Sequence, residues 1–266
     1  MPEKKMLIAT HGGAGSRGED ADGAESAAEE GLRAMRAGLP VLEAVCRAVT
    51  VLEDDSRFNA GVGSQRRSDG SVQMDAACMD SRNRFGAVAA VEGFGNPIRI
   101  AQALTETSCH ILAGEGAARF ARERNFPVLD PRALRHRPSR ATSQDTVGCV
   151  AFDGTTFAAA LSTGGTKNSL PGRVGDVPLI GCGLYAGPSG AVAATGNGES
   201  IFMKLTALQA YRLLEQGANP DHVLKTALQW FDDKTDIGLI LVNRSGLVGG
   251  ANRDMAWFAV EHKITS

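Results

Sequence analysis

The feature that most restricts the fold of this chain is a repeated pairing of short apolar runs across short polar turns. Residues 147–152 and 157–161 are apolar and flank Asp153-Gly154, a dipeptide typical of β-hairpin turns. Residues 237–242 and 247–250 repeat this arrangement around residues 243–246. Hairpin connections pair strands antiparallel, whereas parallel strands need long, usually helical, crossovers. The sequence therefore predicts antiparallel sheets covered by helices.

Helix-forming patterns occur on both sides of a polar break. The predicted helices are residues 24–37, 40–52, 97–106, 111–124, 200–215 and 220–232, the last with Asn219 as its N-cap and Pro220 at its first position. Residues 6–10, 180–186 and 191–194 are expected to form further short strands, and residues 53–80 a loop. Residues 135–145 are polar and arginine-rich, and they predict an exposed linker. A chain of 266 residues is long enough for one large domain.

Several functional classes are disfavoured by composition and spacing. The five cysteines contain no Cys-x-x-Cys pair and the five histidines show no ligand spacing, which argues against a zinc site or a disulfide framework. The net charge of −2 gives no general attraction to nucleic acid or to a membrane. The first apolar run has four residues, too few for a signal peptide or a membrane span, so a cytoplasmic location is expected.

A glycine pattern near the start matches a dinucleotide-binding motif. Residues 13–18 fit G-x-G-x-x-G after a strand, but two successive helices follow before any further strand. A dinucleotide-binding fold requires a parallel strand after the first helix. We therefore interpret the match as a chance pattern in a glycine-rich chain.

Thr146 stands where the predicted linker ends and a strand begins. Threonine is a common first strand residue, and this position alone favours that simple interpretation. Cleavage of the Asp145–Thr146 bond would instead give Thr146 a free α-amine beside its hydroxyl. Such an amine, with a pKa of ~7.7–8.0, can act as the general base for its own hydroxyl. A hydrolase of this kind needs no histidine motif.

The predicted hairpin brings a second hydroxyl towards Thr146. A four-residue loop places Thr146 opposite Thr163, whereas a two-residue loop places Thr163 diagonally across. In either register the Ser162-Thr163-Gly164-Gly165 segment lies near Thr146. That segment is otherwise an ordinary Ser/Thr-Gly turn.

Two further segments suit an amino-acid substrate. Arg173 and Asp176 follow a prolyl turn; they could form a surface ion pair, or they could bind the carboxylate and the ammonium of a free amino-acid head. The Thr195-Gly196-Asn197-Gly198 turn joins a strand to a helix. Its backbone N–H groups could hold the oxyanion of a tetrahedral intermediate, or it could be only a tight turn or a phosphate loop. No lysine follows it as in a P-loop.

These segments together resemble the plant-type asparaginase/isoaspartyl peptidase family, which is related to glycosylasparaginase. The resemblance rests on seven stretches in the order of the family, namely His11-Gly-Gly-Ala-Gly15, Arg57-Phe-Asn-Ala-Gly-Val-Gly63, Met74-Asp-Ala76 with Met79-Asp80, Asp145-Thr-Val-Gly148, Ser162-Thr-Gly-Gly165, Gly172-Arg-Val-Gly-Asp176 and Ala194-Thr-Gly-Asn-Gly-Glu199. It implies an α+β fold, the four-layer αββα sandwich of N-terminal nucleophile hydrolases. It also implies a precursor that cleaves itself into an α subunit (1–145) and a β subunit (146–266), assembled as an (αβ)2 dimer of heterodimers.

The resemblance implies a role for each matching residue. Thr146 would be the nucleophile with Thr163 beside it, and Thr195 and Gly196 the oxyanion donors. Asn59 would approach the nucleophile. The substrate-binding residues would be Arg173, Val174, Gly175, Asp176, Thr195, Gly196, Asn197, Gly198 and Asn59. A structural sodium ion would be bound by the backbone carbonyls of Leu52, Glu53, Asp55, Phe58, Ala60 and Val62. No organic cofactor would be needed.

The implied activity is hydrolysis of the side-chain amide of L-asparagine and of β-aspartyl dipeptides through a β-aspartyl-Thr146 ester. Asp145 before the nucleophile and Asn197 follow the glycosylasparaginase pattern instead. A glycosylasparaginase-like amidase is therefore an alternative. An uncleaved, inactive relative that only binds amino acids is another.

Overall fold

The computed structural model describes residues 5–134 and 146–263, and in these residues the chain forms an α+β fold. The strands are β1 (Lys5–Ala14), β2 (Met74–Asp80), β3 (Phe85–Val91), β4 (Ile111–Ala113), β5 (Val147–Phe152), β6 (Phe157–Thr163), β7 (Leu184–Gly187), β8 (Gly190–Gly196), β9 (Ile237–Val242), β10 (Leu247–Ala251) and β11 (Met255–Lys263). The α-helices are α1 (Ala21–Arg36), α2 (Val41–Asp54), α3 (Pro97–Leu104), α4 (Gly114–Glu123), α5 (Gly198–Lys204), α6 (Thr206–Glu215) and α7 (Pro220–Leu228).

Two sheets lie between two helix layers. The larger sheet has the order β11-β1-β5-β6-β2-β3-β4, and the smaller has the order β10-β9-β8-β7. Helices α1 to α4 pack on the outer face of the larger sheet, and α6 and α7 pack on the outer face of the smaller one. A third apolar cluster fills the space between the sheets. The four-layer αββα arrangement implied by the family resemblance is therefore confirmed.

Strand pairing follows the antiparallel prediction at nearly every described ladder. The exception is β3 with β4, which run parallel. Residues 111–113 were expected to begin a helix, but they form β4, and α4 begins only at Gly114. The loop predicted for residues 53–80 is wrong over Met74–Asp80, which is a buried strand. Strands β3 and β11 were not predicted.

The helix expected over residues 200–215 is two helices. Leu205 separates α5 from α6 and adopts a left-handed backbone conformation with φ 48°. This left-handed conformation interrupts the right-handed helix and is uncommon for a residue other than glycine. The apolar periodicity continues across Leu205, so the sequence pattern does not reveal the break. The Asn219 cap is confirmed, because its side-chain oxygen accepts the His222 N–H at 2.8 Å.

The β5–β6 hairpin has the register that a four-residue loop requires. Phe152 pairs with Phe157, and their rings stack with centroids 4.2 Å apart. The Asp153 side chain accepts the N–H groups of Thr155 and Thr156, each at 2.8 Å, and so stabilises the loop. Val147 pairs with Ser162, which brings Thr146 opposite Thr163.

Four of the five cysteines are buried, as expected for small apolar residues, while Cys109 is exposed; all five are free thiols. Within the described residues, no helix is both long and apolar enough to cross a membrane. The linker predicted for residues 135–145, including Asp145, lies outside the described residues.

Candidate active site

Thr146 is held at the start of β5 by the hydroxyl of Thr195. The Thr146 N–H donates to Thr195 Oγ1 at 3.2 Å, and Thr195 Oγ1 donates back to the Thr146 carbonyl at 3.2 Å. The Ala14 N–H at the end of β1 also donates to this hydroxyl, at 3.1 Å. Thr195 is fully buried and Thr146 is 3% exposed. One threonine side chain therefore fixes the backbone of the other.

Thr163 lies opposite Thr146, at the end of β6, and its hydroxyl accepts the Gly165 N–H at 3.1 Å. Asn59 binds the turn that follows Thr163. Its side-chain Nδ2 donates to the Gly165 carbonyl at 2.8 Å. The backbone carbonyl of Asn59 accepts the Gly164 N–H at 2.9 Å. The Asn59 side-chain oxygen accepts the Gln65 N–H at 3.2 Å. These bonds support the turn beside the two threonines.

A narrow cleft brings together most of the residues expected at the site. It is lined by Thr146, Thr163, Thr166, Arg173, Gly175, Asp176, Gly196 and Gly198. Val174 is 39% exposed and is not part of the lining. The free volume is ≈ 10 Å³, about the room for one water. The cleft in this structure is therefore narrower than an amino acid.

A larger groove of ≈ 670 Å³ lies apart from the threonines. Arg66, Met74, Glu92 and Leu134 are among the residues that line it, and it contains none of the predicted site residues. Size alone would select this groove as the site. The convergence of two threonines, a cation and a buried acid favours the narrow cleft instead.

Arg173 and Asp176 both line the cleft, but they do not form the surface ion pair that their spacing could have given. Arg173 pairs with Glu199, donating from Nε at 2.9 Å and from Nη2 at 2.8 Å. Asp176 is buried, and burial raises the pKa of its carboxyl to about 7. Its Oδ2 has no hydrogen-bond partner in the described structure. A buried acid with an unoccupied oxygen can accept a cationic ligand.

The turn after β8 divides its residues between the cleft and helix α5. Gly196 has φ 131° and lies against the Asp236 carbonyl, so a side chain would not fit there. Asn197 caps α5, because its Oδ1 accepts the Ser200 N–H at 2.9 Å. Gly198 packs against Arg173 and Asp176, where a Cβ would lie 2.8 Å and 2.9 Å from their side chains. The side chain of Asn197 is thus engaged with the helix.

His11 is a buried residue that sequence reasoning did not select. It pairs with Gly148 across β1 and β5, and its Nε2 lies where a Gly148 side chain would be. Burial lowers the pKa of His11 to about 3, and the nearby Thr146 backbone opposes this shift only in part. The imidazole is therefore neutral at physiological pH. The sequence does not indicate that His11 lies beside Thr146, because a lone histidine is usually a structural residue.

The loop predicted to hold sodium folds back on the end of α2. Gly61 has φ 51° and packs against the Glu53 carbonyl so closely that no side chain would fit. The carbonyls of Leu52 and Glu53 belong to the last turn of α2, where carbonyls have no intrahelical partner. Among the residues that the structure describes, no group of three or more His, Cys, Asp or Glu side chains could hold a metal.

The backbone carbonyls of Asp55, Phe58 and Ala60 each accept one backbone N–H. A carbonyl oxygen has two lone pairs, so each of these oxygens has one more with which to bind a cation. Carbonyl oxygens with a remaining lone pair suit a hard cation. Sodium binding by this loop stays a prediction of the family resemblance.

Comparisons with known proteins agree with the order of the motifs. A family model described as Asparaginase matches residues 4–142 and 132–265. The isoaspartyl peptidase/L-asparaginase of Rattus norvegicus is 36% identical over 288 residues, covering 97% of this chain and 86% of that protein. The plant-type L-asparaginase of Pyrococcus furiosus is 37% identical over 285 residues, covering 92% of each. This chain therefore belongs to the asparaginase family that includes these relatives.

Proposed function

We propose that this protein is a self-processing threonine amidohydrolase that acts on L-asparagine and on β-aspartyl dipeptides. The observation that carries the proposal is the position of Thr146, buried opposite Thr163 in a cleft that also contains Arg173 and Asp176. The names of the relatives, L-asparaginase and isoaspartyl peptidase, agree with this substrate class. An amino-acid head needs one cation and one anion, and the cleft supplies both.

The first step is cleavage of the chain itself. The Thr146 hydroxyl attacks the carbonyl carbon of Asp145, and its proton passes to the Thr146 nitrogen as the Asp145–Thr146 C–N bond breaks. Water then hydrolyses the resulting ester, which frees the Asp145 carboxylate and restores the Thr146 hydroxyl. The products are an α subunit of residues 1–145 and a β subunit of residues 146–266. The new α-amine of Thr146, with a pKa of ~7.7–8.0, is then the base that the cleft otherwise lacks.

Turnover uses the same hydroxyl. Thr146 Oγ1 attacks the side-chain carbonyl carbon of the substrate while the α-amine takes its proton. The Thr195 hydroxyl, which leaves the Thr146 carbonyl for this step, and Gly196 donate to the oxyanion, and Thr163 orients the amine and the hydroxyl. Collapse of the intermediate passes the proton to the leaving nitrogen, which departs as ammonia or as an amino acid. Water then hydrolyses the β-aspartyl-Thr146 ester and releases aspartate.

Substrate selection depends on the amino-acid head. Two nitrogens of Arg173 already bind Glu199, so its Nη1 is available for the α-carboxylate. The unpartnered Oδ2 of Asp176 accepts the α-ammonium. Binding favours the ionised form of Asp176, so affinity rises as the pH passes its pKa of about 7. Both groups recognise a free amino acid rather than an internal peptide residue.

The sodium ion and the assembly belong to the same proposal. Sodium bound by the carbonyls of Leu52, Glu53, Asp55, Phe58, Ala60 and Val62 would fix the loop that carries Asn59. Asn59 in turn supports the turn after Thr163. The processed protein is proposed to act as an (αβ)2 dimer of heterodimers in the cytoplasm.

The decisive experiment is an intact-mass spectrum of the purified protein, followed by activity assays. The proposal expects two fragments in place of the 27.8 kDa chain, the second beginning at Thr146, and ammonia release from asparagine. Thr146→Ala should stay intact and inactive, and Thr146→Ser should retain slow cleavage because it keeps the hydroxyl. Active protein that is one unbroken chain would refute the mechanism.

The same samples separate the two alternatives. A glycosylasparaginase-like amidase would hydrolyse a glycosylasparagine faster than asparagine or β-aspartyl-leucine. An inactive binding protein would remain uncleaved and would still bind aspartate.

A further inference from the structure

Arg67 is a buried cation that the proposed mechanism does not use. It is 2% exposed, although arginine is rarely buried without a specific partner. Its Nη1 donates to Ser169 Oγ at 2.6 Å, and its Nη2 donates to the Gln73 carbonyl at 3.0 Å. The guanidinium edge thus joins a loop and the start of β2.

The flat face of the same guanidinium supports the turn that follows Thr163. A Cβ at Gly165 would lie 2.7–2.8 Å from Nη1, Cζ and Nη2 of Arg67. Nearly equal distances to three atoms place this Cβ position over the face of the group, so residue 165 fits against Arg67 only without a side chain. Gly165 has φ 77°, and its N–H donates to Thr163 Oγ1. Arg67 therefore contacts Gly165, the residue that is hydrogen-bonded to Thr163.

The hydrogen bonds from the edge of the guanidinium connect Arg67 to the loop that carries Arg173. The Ser169 carbonyl accepts the Ser68 N–H and the Arg66 carbonyl accepts the Asn168 N–H, each at 2.9 Å. Together with the bond from Arg67 to Ser169, these make three hydrogen bonds between the two segments. The Gln73 side chain accepts the Gly172 N–H at 2.6 Å, directly before Arg173. Arg67 and its two partners thus fix the stretch of loop that ends at Arg173.

Charges around Arg67 explain why a cation is tolerated there. Asp75 is fully buried in β2, pairs with Thr163 across the sheet, and accepts the Ala90 N–H at 2.7 Å. Burial raises the pKa of Asp75, while the Ala90 N–H and the cations Arg67 and Arg173 lower it. Asp75 thus lies within electrostatic range of both arginines, although burial still lowers the pKa of Arg67. A buried cation with a nearby anion can persist where a lone one could not.

We propose that Arg67 is a positioning residue that fixes the turn carrying Thr163 with the face of its guanidinium and the loop carrying Arg173 with its edge. This inference rests on the proposed function, because it assigns Thr163 to catalysis and Arg173 to substrate binding. Arg67 does not touch the substrate; it acts through these two segments.

The test compares Arg67→Lys with Arg66→Lys in the purified, self-cleaved protein. Lysine keeps the charge but has neither a flat face nor a fork of donors. Arg66 is a matched control, because it is exposed and its side chain donates only to the Gly70 carbonyl among the described contacts. We expect Arg67→Lys to lower kcat and to raise KM for asparagine, each at least fivefold. Arg66→Lys should leave both within twofold.

Ser169→Ala separates the two halves of the proposal. It removes the edge contact to the loop but leaves the face contact to Gly165, so KM should rise at least threefold while kcat stays within twofold. A loss of folded protein would lower the apparent kcat and leave KM unchanged, so the rise in KM is the discriminating readout.

Unchanged KM in both Arg67→Lys and Ser169→Ala would overturn the inference. If Arg67→Lys does not fold, the KM of Ser169→Ala decides the question alone. Lack of activity in the wild-type protein would instead contradict the proposed function, so the two failures are distinguishable.

Discussion

Replacing Asp176 with asparagine should make the protein more stable and less active. The carboxyl is buried, its Oδ2 has no hydrogen-bond partner in the described structure, and burial raises its pKa to about 7. Ionising such a group in the folded protein is unfavourable when no substrate is bound. Asparagine has nearly the same shape and no charge to bury.

The magnitude follows from the difference between the ordinary pKa of 3.8 and the folded value of about 7. This difference corresponds to about 4 kcal/mol at most, since each factor of ten is about 1.4 kcal/mol. Because the folded pKa lies above the unfolded one, Asp176 is protonated in the folded state and ionised in the unfolded state at pH values between the two. The carboxyl therefore destabilises the protein increasingly as the pH rises from about 4 to about 7, and fully above that.

The stability assay is urea unfolding of Asp176→Asn in the Thr146→Ala background, which is expected to remain one chain. We expect a gain of up to about 4 kcal/mol at pH 8, reduced by the cost of burying an unpaired amide, and almost none at pH 4. Asp233→Asn is the control, because Asp233 is exposed. Equal stability of parent and variant at pH 8, or the same gain at both pH values, would refute the reasoning.

Activity should change in the opposite direction. Leaving the substrate ammonium unpaired in a buried site costs about 3–5 kcal/mol, which lowers kcat/KM at least a hundredfold. In the wild-type protein both Asp176 and the Thr146 amine are protonated below about pH 7, so log kcat/KM should fall with a slope near two. Asp176→Asn should show a slope near one, which steady-state kinetics across pH 5–9 will measure. Identical slopes would remove Asp176 from substrate binding.

Three other predictions test separate parts of the structure. Arg173→Lys should raise KM for asparagine at least tenfold with self-cleavage unaffected, because lysine cannot bind Glu199 and a carboxylate in the same plane; unchanged steady-state kinetics would make Arg173 a purely structural residue. Leu205→Gly should raise the free energy of unfolding by about 1 kcal/mol, since glycine adopts φ 48° without strain. A loss of stability in urea unfolding would show that the half-exposed Leu205 side chain contributes more than its backbone strain. Exchanging sodium for choline in the buffer should lower the Tm if the carbonyls from Leu52 to Val62 bind the ion, and an identical Tm would argue against the site.

The sequence alone determined the features that depend on neighbouring residues. The Asp153-Gly154 turn with its apolar flanks predicted the β5–β6 hairpin, and both registers considered brought the Thr163 segment near Thr146. The structure has the register of the four-residue loop, with Thr146 opposite Thr163. Capping by Asn219 was also predictable, because the bond spans only three residues. The resemblance supplied the four-layer arrangement, since seven motifs in a fixed order carry information that no single pattern has.

Tertiary structure alone decided the features that depend on distant partners. Residues 111–113 have helix-forming neighbours, yet they form a strand because the edge of β3 is available for pairing. Arg173 bonds to Glu199 rather than to Asp176, because the turn after β8 brings Glu199 to it from 26 residues away. Burial desolvates both Asp176 and Arg67, which raises the pKa of the carboxyl and lowers that of the guanidinium. Desolvation depends on everything packed around a group, and the local sequence does not contain that information.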